Sequence, residues 1–379
     1  MASPNLSGFT YSNQVELIRG GKEFFRLLKL LIDQAQKTIY FQIYIFHNDS
    51  TGREIADALI AAAQRNVNVY VLFDAYASKH LSNAFIDKLI DSGIHFRWFK
   101  SSFRHKRFYF GRRMHHKVIV IDSTKSLVCG LNVSDKYNDT PESRAWLDWA
   151  VYTQGAASLK LQQVCKRRLK DYSDSNDTWE GEKGDRCAVR VCVNDWIARK
   201  SEVTKSYLRM IDNASSTVVI MSPYFMPGYQ FRKCLRRAVN RGVKVQIILT
   251  GVSDIFVSKF AEKYMYDWLL NLNIDIYEYQ TNVLHGKMVV CDRQIVSVGS
   301  YNVNNLSAYA SIELNLEIKD EEFAVEASNR LNDIIKKECV RITRQGHEAK
   351  TTWLKRIFRK LAYNFLRLML LIFAFKQHG

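Results

Sequence analysis

Two copies of one short motif combine histidine, lysine and aspartate at the same spacing within the 379-residue chain. The first copy reads HHKVIVID from His115 to Asp122, and the second reads HGKMVVCD from His285 to Asp292. Both have the form H-x-K-x4-D, and an asparagine follows each histidine after seventeen residues, at Asn132 and Asn302. A single H-x-K-x4-D match could arise by chance, but two copies with an equally spaced asparagine form a highly specific pattern.

The spacing within each copy predicts which side chains share a pocket. Side chains alternate in direction along a β-strand, so a histidine and a lysine two residues apart point to the same side. Lys117 and Lys287 are therefore expected beside their histidines. The aspartate seven residues after each histidine faces the opposite side of an unbroken strand. We expect Asp122 and Asp292 to support the catalytic motifs in a structural or orienting role.

Two histidine–lysine pairs that meet at a pseudo-two-fold axis form a site suited to a phosphodiester. One imidazole can attack phosphorus and form a covalent phosphohistidine. The other can protonate the leaving alcohol and then deprotonate the incoming one. The charge that grows on the non-bridging oxygens would be bound by Lys117, Lys287, Asn132 and Asn302. This chemistry needs no metal or other cofactor, and none is expected.

The elements that must position these residues also repeat along the chain. Residues 38–46 have a strand pattern, 53–64 a helical pattern and 66–73 a second strand pattern; the same order recurs at 217–222, 230–240 and 241–249. Strands alternating with helices predict βαβ units. We therefore predict an α/β fold of two similar lobes, each a mostly parallel sheet flanked by helices, related by a pseudo-two-fold axis.

The predicted organisation has three parts. Residues 1–186 form a first lobe with the first motif, and residues 187–345 form a second lobe with the second motif. Residues 346–379 form a basic amphipathic tail. The polar stretch 171–186, rich in Asp, Ser, Asn and Gly, is interpreted as a linker or surface loop between the lobes.

The duplicated motif resembles that of the phospholipase D superfamily, and further blocks resemble bacterial cardiolipin synthases. The resemblance covers roughly residues 11–336. Its blocks read SPYFMPG at 222–228, AVNRGVKV at 238–245, LHGK at 284–287, GSYN at 299–302, WLD at 146–148 and ELN at 313–315. Many members of this family begin with two transmembrane helices. This chain resembles the subclass that lacks them, because no stretch of about 18 apolar residues is present.

The resemblance implies roles for individual residues. His115 would take up a phosphatidyl group and His285 would be its acid–base partner, although the sequence alone does not establish which histidine is attacked. Asp148 and Glu313 would each orient a catalytic histidine, with the nearby Glu317 as an alternative to Glu313. Tyr224, in the turn after the first strand of the second half, is a candidate substrate contact. The expected reaction joins phosphatidylglycerol to a second phospholipid and releases a small alcohol.

The net charge of +17 indicates a polyanionic partner, and an anionic membrane surface fits a phospholipid substrate. Apolar residues recur at helical spacing in the tail, with basic residues between them: Trp353, Leu354, Ile357, Phe358, Leu361, Phe365 and Leu368. Such a helix fits an interfacial anchor, followed by an apolar plug at 368–375. The alternative is a helix that packs its apolar face on the body. We expect a peripheral enzyme on the cytoplasmic face of a bacterial inner membrane.

Two other functions remain open from the sequence. The same site chemistry would let a phosphodiesterase hydrolyse a phospholipid or single-stranded nucleic acid. The basic and aromatic residues of segment 103–113 would suit the latter, although no nucleic-acid partner is expected. A non-catalytic lipid-binding scaffold is disfavoured because both motifs are intact. The oligomeric state is not predicted.

Overall fold

The computed structural model describes residues 8–100, 112–169, 187–253, 255–349 and 351–375, and for 369–375 only the helical backbone. Most of the basic aromatic segment 103–113, the polar stretch 171–186 and the side chains of the predicted apolar plug beyond Leu368 lie outside the described residues.

The N-terminal lobe is built on a seven-stranded sheet of order β1-β8-β7-β6-β2-β3-β4. Its strands are β1 (Asn13–Arg19), β2 (Thr38–Ile43), β3 (Asn68–Asp74), β4 (His95–Phe99), β6 (Lys117–Ile121), β7 (Lys125–Cys129) and β8 (Trp149–Gly155), while the short β5 (Arg113–Met114) pairs with the other lobe. Its helices are α1 (Lys22–Gln34), α2 (Ser50–Gln64), α3 (Asn83–Asp91) and α4 (Ala156–Leu169), with a 3-10 turn at Asp135–Tyr137.

The C-terminal lobe repeats this plan with strand order β10-β9-β16-β15-β14-β11-β12-β13-β17. Its strands are β9 (Ala188–Asp195), β10 (Lys200–Ser201), β11 (Thr217–Met221), β12 (Lys244–Val252), β13 (Asp275–Val283), β14 (Met288–Cys291), β15 (Ile295–Gly299), β16 (Ser311–Lys319) and β17 (Cys339–Ile342). Its helices are α5 (Glu202–Asn213), α6 (Tyr229–Asn240), α7 (Phe256–Tyr264), α8 (Tyr266–Asn271), α9 (Asn305–Tyr309), α10 (Glu321–Glu338), α11 (Arg344–Ala349) and α12 (Trp353–Phe375).

The α/β architecture of two similar lobes is confirmed, but the prediction of mostly parallel sheets is wrong. Within each lobe's sheet, the parallel strand pairs are those of β2-β3-β4 and β11-β12-β13, where helices connect the strands, while the short β5 pairs in parallel with β16 of the other lobe. The motif strands β6 and β14 each continue into an antiparallel hairpin. Positive φ at Asp122 and Ser123, and again at Asp292 and Arg293, forms the tight turn of that hairpin, and a tight turn cannot join parallel strands.

The two sheets pack through a shared apolar core. One buried cluster contains Val128 and Trp149 from the first lobe together with Met221 and Val298 from the second. Trp149 is 1 % exposed, and its indole N–H lies 3.3 Å from the sulfur of Met221. Burying an aromatic side chain of this size contributes roughly 1.5–3 kcal/mol, so the core that joins the lobes also fixes how their motif strands face each other.

Helix α12 packs on the body along α7, but not through its apolar face. The side chains turned inward are Arg359 and Tyr363, each 8 % exposed, with Ala362 and Leu366 partly buried beside them. The seven apolar positions of the predicted tail stripe, by contrast, are 46–69 % exposed. The alternative in which the apolar face packs on the protein is therefore wrong for residues 353–368.

Candidate active site

Each motif is attached by its backbone to the opposite lobe. Strand β5, immediately before the first motif, pairs with β16, and the His116 amide donates to the carbonyl of Ile312 at 3.0 Å. In the second motif, the amides of His285 and Gly286 both donate to the carbonyl of Leu147, at 2.8 and 2.9 Å. These contacts bring the two predicted histidine–lysine pairs to the junction of the lobes.

Each histidine contacts an acid from the other lobe. Nδ1 of His115 lies 2.9 Å from Oε2 of Glu313, and Nδ1 of His285 lies 2.6 Å from Oδ2 of Asp148. Both carboxylates are fully buried. A buried carboxylate that accepts from Nδ1–H fixes the ring orientation and leaves Nε2 as the basic nitrogen. The geometry therefore has the form expected of two orienting acids, exchanged reciprocally between the lobes.

The acids are held by different groups in the two lobes. The hydroxyl of Ser300 donates to Oε2 of Glu313 at 2.5 Å, whereas the Trp149 amide donates to Oδ1 of Asp148 at 2.8 Å. The residue equivalent to Ser300 is Gly130, where a Cβ would lie 2.3 Å from Asp148 Oδ1. Glycine is therefore required there because the carboxylate occupies the space that a side chain would need.

The alternative acid, Glu317, has a different place in the structure. Its buried carboxylate accepts from the guanidinium groups of Arg190 and Arg209 and from the hydroxyl of Ser206. These contacts satisfy it within the second lobe, and Glu313 is the acid that contacts His115.

The two lysines are buried beside the histidine backbone. Lys117 Nζ donates to the carbonyl of His115 at 2.5 Å, and Lys287 Nζ donates to that of His285. Lys287 Nζ also lies 2.7 Å from His285 Nδ1, which contacts Asp148 as well. One Nδ1 cannot donate to a carboxylate and accept from an ammonium at once. We assign its proton to the Asp148 contact, because the carboxylate is the stronger acceptor.

The buried charges shift the pKa values of the whole cluster. Burial lowers the pKa of His115, Glu313 opposes this, and Lys117 lowers it further. Burial and the charge of Lys287 lower the pKa of His285 to about 3, and the same two causes lower the pKa of Lys117 to about 7. Because the lysine of each lobe acts on the histidine of the other, the pairs share one electropositive environment, which an incoming phosphodiester anion would neutralise.

Asp122 and Asp292 lie away from this cluster, at the hairpin turns. The carboxylate of Asp122 accepts from the amides of residues 36–38, and that of Asp292 accepts from the amides of residues 215–217. Partial burial would raise the pKa of Asp292, but the backbone hydrogen bonds outweigh it and lower the value to about 2. Both residues therefore connect the motif hairpin to the start of the neighbouring strand and do not reach the reacting groups.

The predicted substrate-binding residues differ in how many hydrogen bonds they already form within the protein. The amide of Asn132 accepts from the Ile45 backbone at 3.1 Å and donates to the Tyr137 hydroxyl at 2.8 Å. Asn302 is 7 % exposed, and its Oδ1 has no hydrogen-bond partner in the described parts of the chain. Tyr224 has a φ of 54° in the turn after β11, where its carbonyl accepts from the Asn304 side chain.

Two aromatic residues at the site were missed from the sequence. The hydroxyl of Tyr137 lies 3.5 Å from Nε2 of His285, and the ring of Tyr44 packs edge-on at 4.9 Å from that of His115. Lys117 Nζ lies 5.0 Å from the centre of the same Tyr44 ring. Tyr44 occupies a predicted strand and was interpreted only as a strand residue. Tyr137 ends the 3-10 turn Asp135–Tyr137, and no repeated sequence signal marks it.

Two further observations concern His116 and the possibility of a metal site. His116 is fully buried and its Nε2 contacts Oε1 of Gln42 at 2.9 Å, so it points away from the cluster. Among the described residues, no group of three or more His, Cys, Asp or Glu side chains is placed to hold a metal ion.

Comparisons with known proteins agree with this geometry. Residues 28–148 and 207–335 match the family model described as cardiolipin synthase, PLD-like domain. The chain is 31% identical to cardiolipin synthase B of Salmonella typhimurium over 95% of this chain and 89% of that protein. It is 30% identical to the major cardiolipin synthase ClsA of Bacillus subtilis over 83% of this chain and 67% of that protein.

The fold has a solved counterpart. A phosphatidylserine synthase from Haemophilus influenzae superimposes with a TM-score of 0.71 at 15% sequence identity and covers 95% of both chains. At that identity the likeness concerns the fold, whereas the matched model covers most of both lobes and includes His115 and His285. The chain belongs to the cardiolipin synthase family of proteins with phospholipase D-like domains.

Proposed function

We propose that this enzyme transfers a phosphatidyl group from phosphatidylglycerol to a second phospholipid through a phosphohistidine at His115. The observation that carries the proposal is the reciprocal pair of contacts, His115 with Glu313 and His285 with Asp148, which orients two imidazoles from opposite lobes toward one electropositive site.

In the first half-reaction, Nε2 of His115 attacks phosphorus while Glu313 holds the proton on Nδ1. The bond from phosphorus to Nε2 forms as the bond to the glycerol oxygen breaks. His285 gives that oxygen a proton. The substrate anion offsets the field of the buried lysines and raises the proton affinity of His285 from its low value in the free enzyme.

In the second half-reaction, the hydroxyl of the incoming phospholipid gives its proton to His285 and attacks phosphorus. The bond to Nε2 breaks and His115 is restored. Lys117, Lys287 and the amide of Asn302 bind the non-bridging oxygens in both steps. The Nδ2 amino group of Asn302 is the donor for these oxygens. Its buried Oδ1, which has no partner among the described residues, is an acceptor available to a hydroxyl group of the substrate.

The surroundings of the histidines support this assignment of roles. The His115 side chain is 14% exposed, and no hydrogen bond of its Nε2 is found within the described residues. The His285 side chain is 8% exposed, and its Nε2 faces the Tyr137 hydroxyl, which offers a route for proton exchange. A nucleophile needs an open lone pair, whereas an acid–base group benefits from a proton-bearing neighbour.

The enzyme works as a peripheral membrane protein in this proposal, on the cytoplasmic face of a bacterial inner membrane. In the described residues, no helix is both long enough and apolar enough to cross a membrane. The outward stripe of α12, which includes Trp353, Phe358 and Phe365, is 58–69 % exposed at these positions. Lys355, Arg356 and Lys360 flank it and would contact anionic headgroups, each adding about 1 kcal/mol.

The test is incubation of the purified protein with phosphatidylglycerol vesicles, followed by lipid mass spectrometry. A diphosphatidyl lipid and free glycerol are expected, and His115→Ala should abolish both. His80→Ala is the matched control, because His80 is exposed and distant from the motifs in sequence. Phosphatidic acid as the only product would identify a hydrolase instead and reject the transferase proposal.

A further inference from the structure

A cleft of about 350 Å³ lies on the C-terminal lobe. It is formed by the start of α6, the loop that leads from β15 into α9, and the outer helix α12. Its volume falls within the roughly 300–1,000 Å³ typical of small-molecule sites. Tyr301 and Val303, the neighbours of Asn302 in sequence, both line it, so the cleft borders the loop that carries a proposed substrate-binding residue.

The charge of the cleft has one sign. Arg232 and Arg367 line it, and no Asp or Glu side chain does. Neither arginine forms an ion pair within the described residues, so no carboxylate there compensates the charge of either guanidinium group. Two guanidinium groups without a carboxylate partner favour an anionic ligand with several acceptor oxygens.

The mouth of the cleft opens among exposed aromatic and apolar side chains. Of the residues that line it, Tyr229 is 73 % exposed and Tyr309 is 52 % exposed. Arg367 belongs to α12, whose apolar stripe faces outward in the same region. Amphipathic aromatic residues of this kind occupy membrane interfaces, so the ligand reaches the cleft from a lipid surface.

The floor of the cleft depends on a small residue. At Gly228, an added Cβ would lie 2.8 Å from Oδ1 of Asn305. Gly228 has a φ of −66°, which any residue can adopt, so the constraint on this position is space and not backbone conformation. A larger side chain there would displace the Asn305 side chain and fill part of the cleft, while the backbone conformation stays allowed.

We propose that this cleft binds the phosphate headgroup of the second, acceptor phospholipid, with Arg232 and Arg367 on its phosphate oxygens and α12 as the wall nearest the membrane. This inference rests on the proposed transferase function. It makes α12 part of the substrate site as well as a membrane contact, and it assigns to the cleft a lipid that does not itself become attached to His115.

The experiment separates the acceptor from the chemistry. The Arg232→Gln/Arg367→Gln double variant is incubated with phosphatidylglycerol vesicles and a small soluble alcohol. Three products are measured: the phosphohistidine, the lipid formed by transfer to the soluble alcohol, and the diphosphatidyl lipid. Loss of two charge-assisted hydrogen bonds should reduce diphosphatidyl lipid formation by about tenfold or more. The phosphohistidine and the transfer to the soluble alcohol should stay near wild-type levels.

Gly228→Val tests the same cleft sterically and should give the same selective loss. Arg236→Gln is the matched control, because it removes an exposed arginine of α6 that does not line the cleft. Equal loss of all three products in both variants, or no loss in either, would overturn the proposal, and neither result would affect the His115 test. Millimolar inorganic phosphate should reduce diphosphatidyl lipid formation in the wild type but not in the double variant. Phosphate that binds at the two arginines yet leaves diphosphatidyl lipid formation unchanged would overturn the lipid assignment, because the acceptor would then not occupy the cleft.

Discussion

The two histidines of the site share a backbone arrangement but differ in what surrounds them. His115 is the more exposed, and its acid is held by the hydroxyl of Ser300. His285 is enclosed by the rings of Tyr137 and Trp146, with centroids at 5.2 and 6.1 Å. The two copies thus share the contact between histidine and acid, whereas the residues around that contact differ. A duplicated fold can in this way assign two chemical roles to one motif.

The largest expected effect tests whether the roles differ at all. His115→Ala should abolish the covalent phosphoenzyme, whereas His285→Ala should still form it slowly, because only proton transfer is lost. We expect a loss of about 10²–10⁴ in overall rate for His285→Ala. Rapid quenching and peptide mass spectrometry would locate the phosphoryl group. A phosphoenzyme found in the His115 variant but not in the His285 variant would reverse the assignment.

The orienting acids should show the next largest effect. Glu313→Gln and Asp148→Asn each remove the negative charge opposite an imidazole while keeping its shape, and a loss of about 10²–10⁴ in kcat is expected for each. Glu313→Gln should slow phosphoenzyme formation directly, because Glu313 contacts the proposed nucleophile. Single-turnover kinetics on vesicles measure this step. A normal rate of phosphoenzyme formation in Glu313→Gln would show that Glu313 does not assist the attack by His115.

Exchanging Gly130 and Ser300, the equivalent residues that contact Asp148 and Glu313, tests whether the two lobes hold their acids differently. Gly130→Ser should displace Asp148 and remove most activity, because even a Cβ would lie 2.3 Å from the carboxylate. Ser300→Gly should cost the hydrogen bond to Glu313, about 1.5–3 kcal/mol or roughly ten- to hundredfold in rate, and also the bond that the hydroxyl accepts from the Leu314 amide at 3.1 Å. Steady-state assays with circular dichroism as a folding control compare the two. Equal losses would mean that the acids are held alike in the two lobes.

The smallest expected effect concerns stability. Lys117 has a pKa of about 7 in the folded protein against an ordinary value of 10.5, so below pH 7 the fold carries the full cost of a buried charge. Lys117→Met should therefore raise the thermal unfolding midpoint near pH 6 while it abolishes activity. The gain should shrink as the pH rises from 7 to 10.5, because the wild-type lysine becomes neutral in the folded state and then in the unfolded state. A gain independent of pH would exclude charge burial as its cause.

Part of the site was predictable because its information is local. The two-residue spacing predicted that each histidine and its lysine lie together, and they do, although His115 precedes β6 and both His285 and Lys287 precede β14. The repeat of strand and helix patterns predicted two similar lobes. The seven-residue offset predicted that Asp122 and Asp292 lie away from the reacting groups. They do, but at the hairpin turns and not on the far face of an unbroken strand. The strand and helix patterns themselves depend on local periods, which a short segment determines without help from the rest of the chain.

Other features depend on contacts between segments far apart in sequence. The exchange of Glu313 and Asp148 between lobes follows from the common core around Trp149, which decides which strand faces which motif. The antiparallel hairpins form because a tight turn follows each motif. The prediction of mostly parallel sheets did not take these turns into account.

The sequence by itself determined the paired motif, the two-lobe plan and the amphipathic character of the tail. Only the tertiary structure decided which acid serves which histidine, that Tyr137 faces His285, and that α12 turns Arg359 and Tyr363 inward while its apolar stripe faces out. The physical reason is that strand and helix periods depend on neighbouring residues in the sequence. Which surfaces contact each other depends instead on the packing of the whole fold.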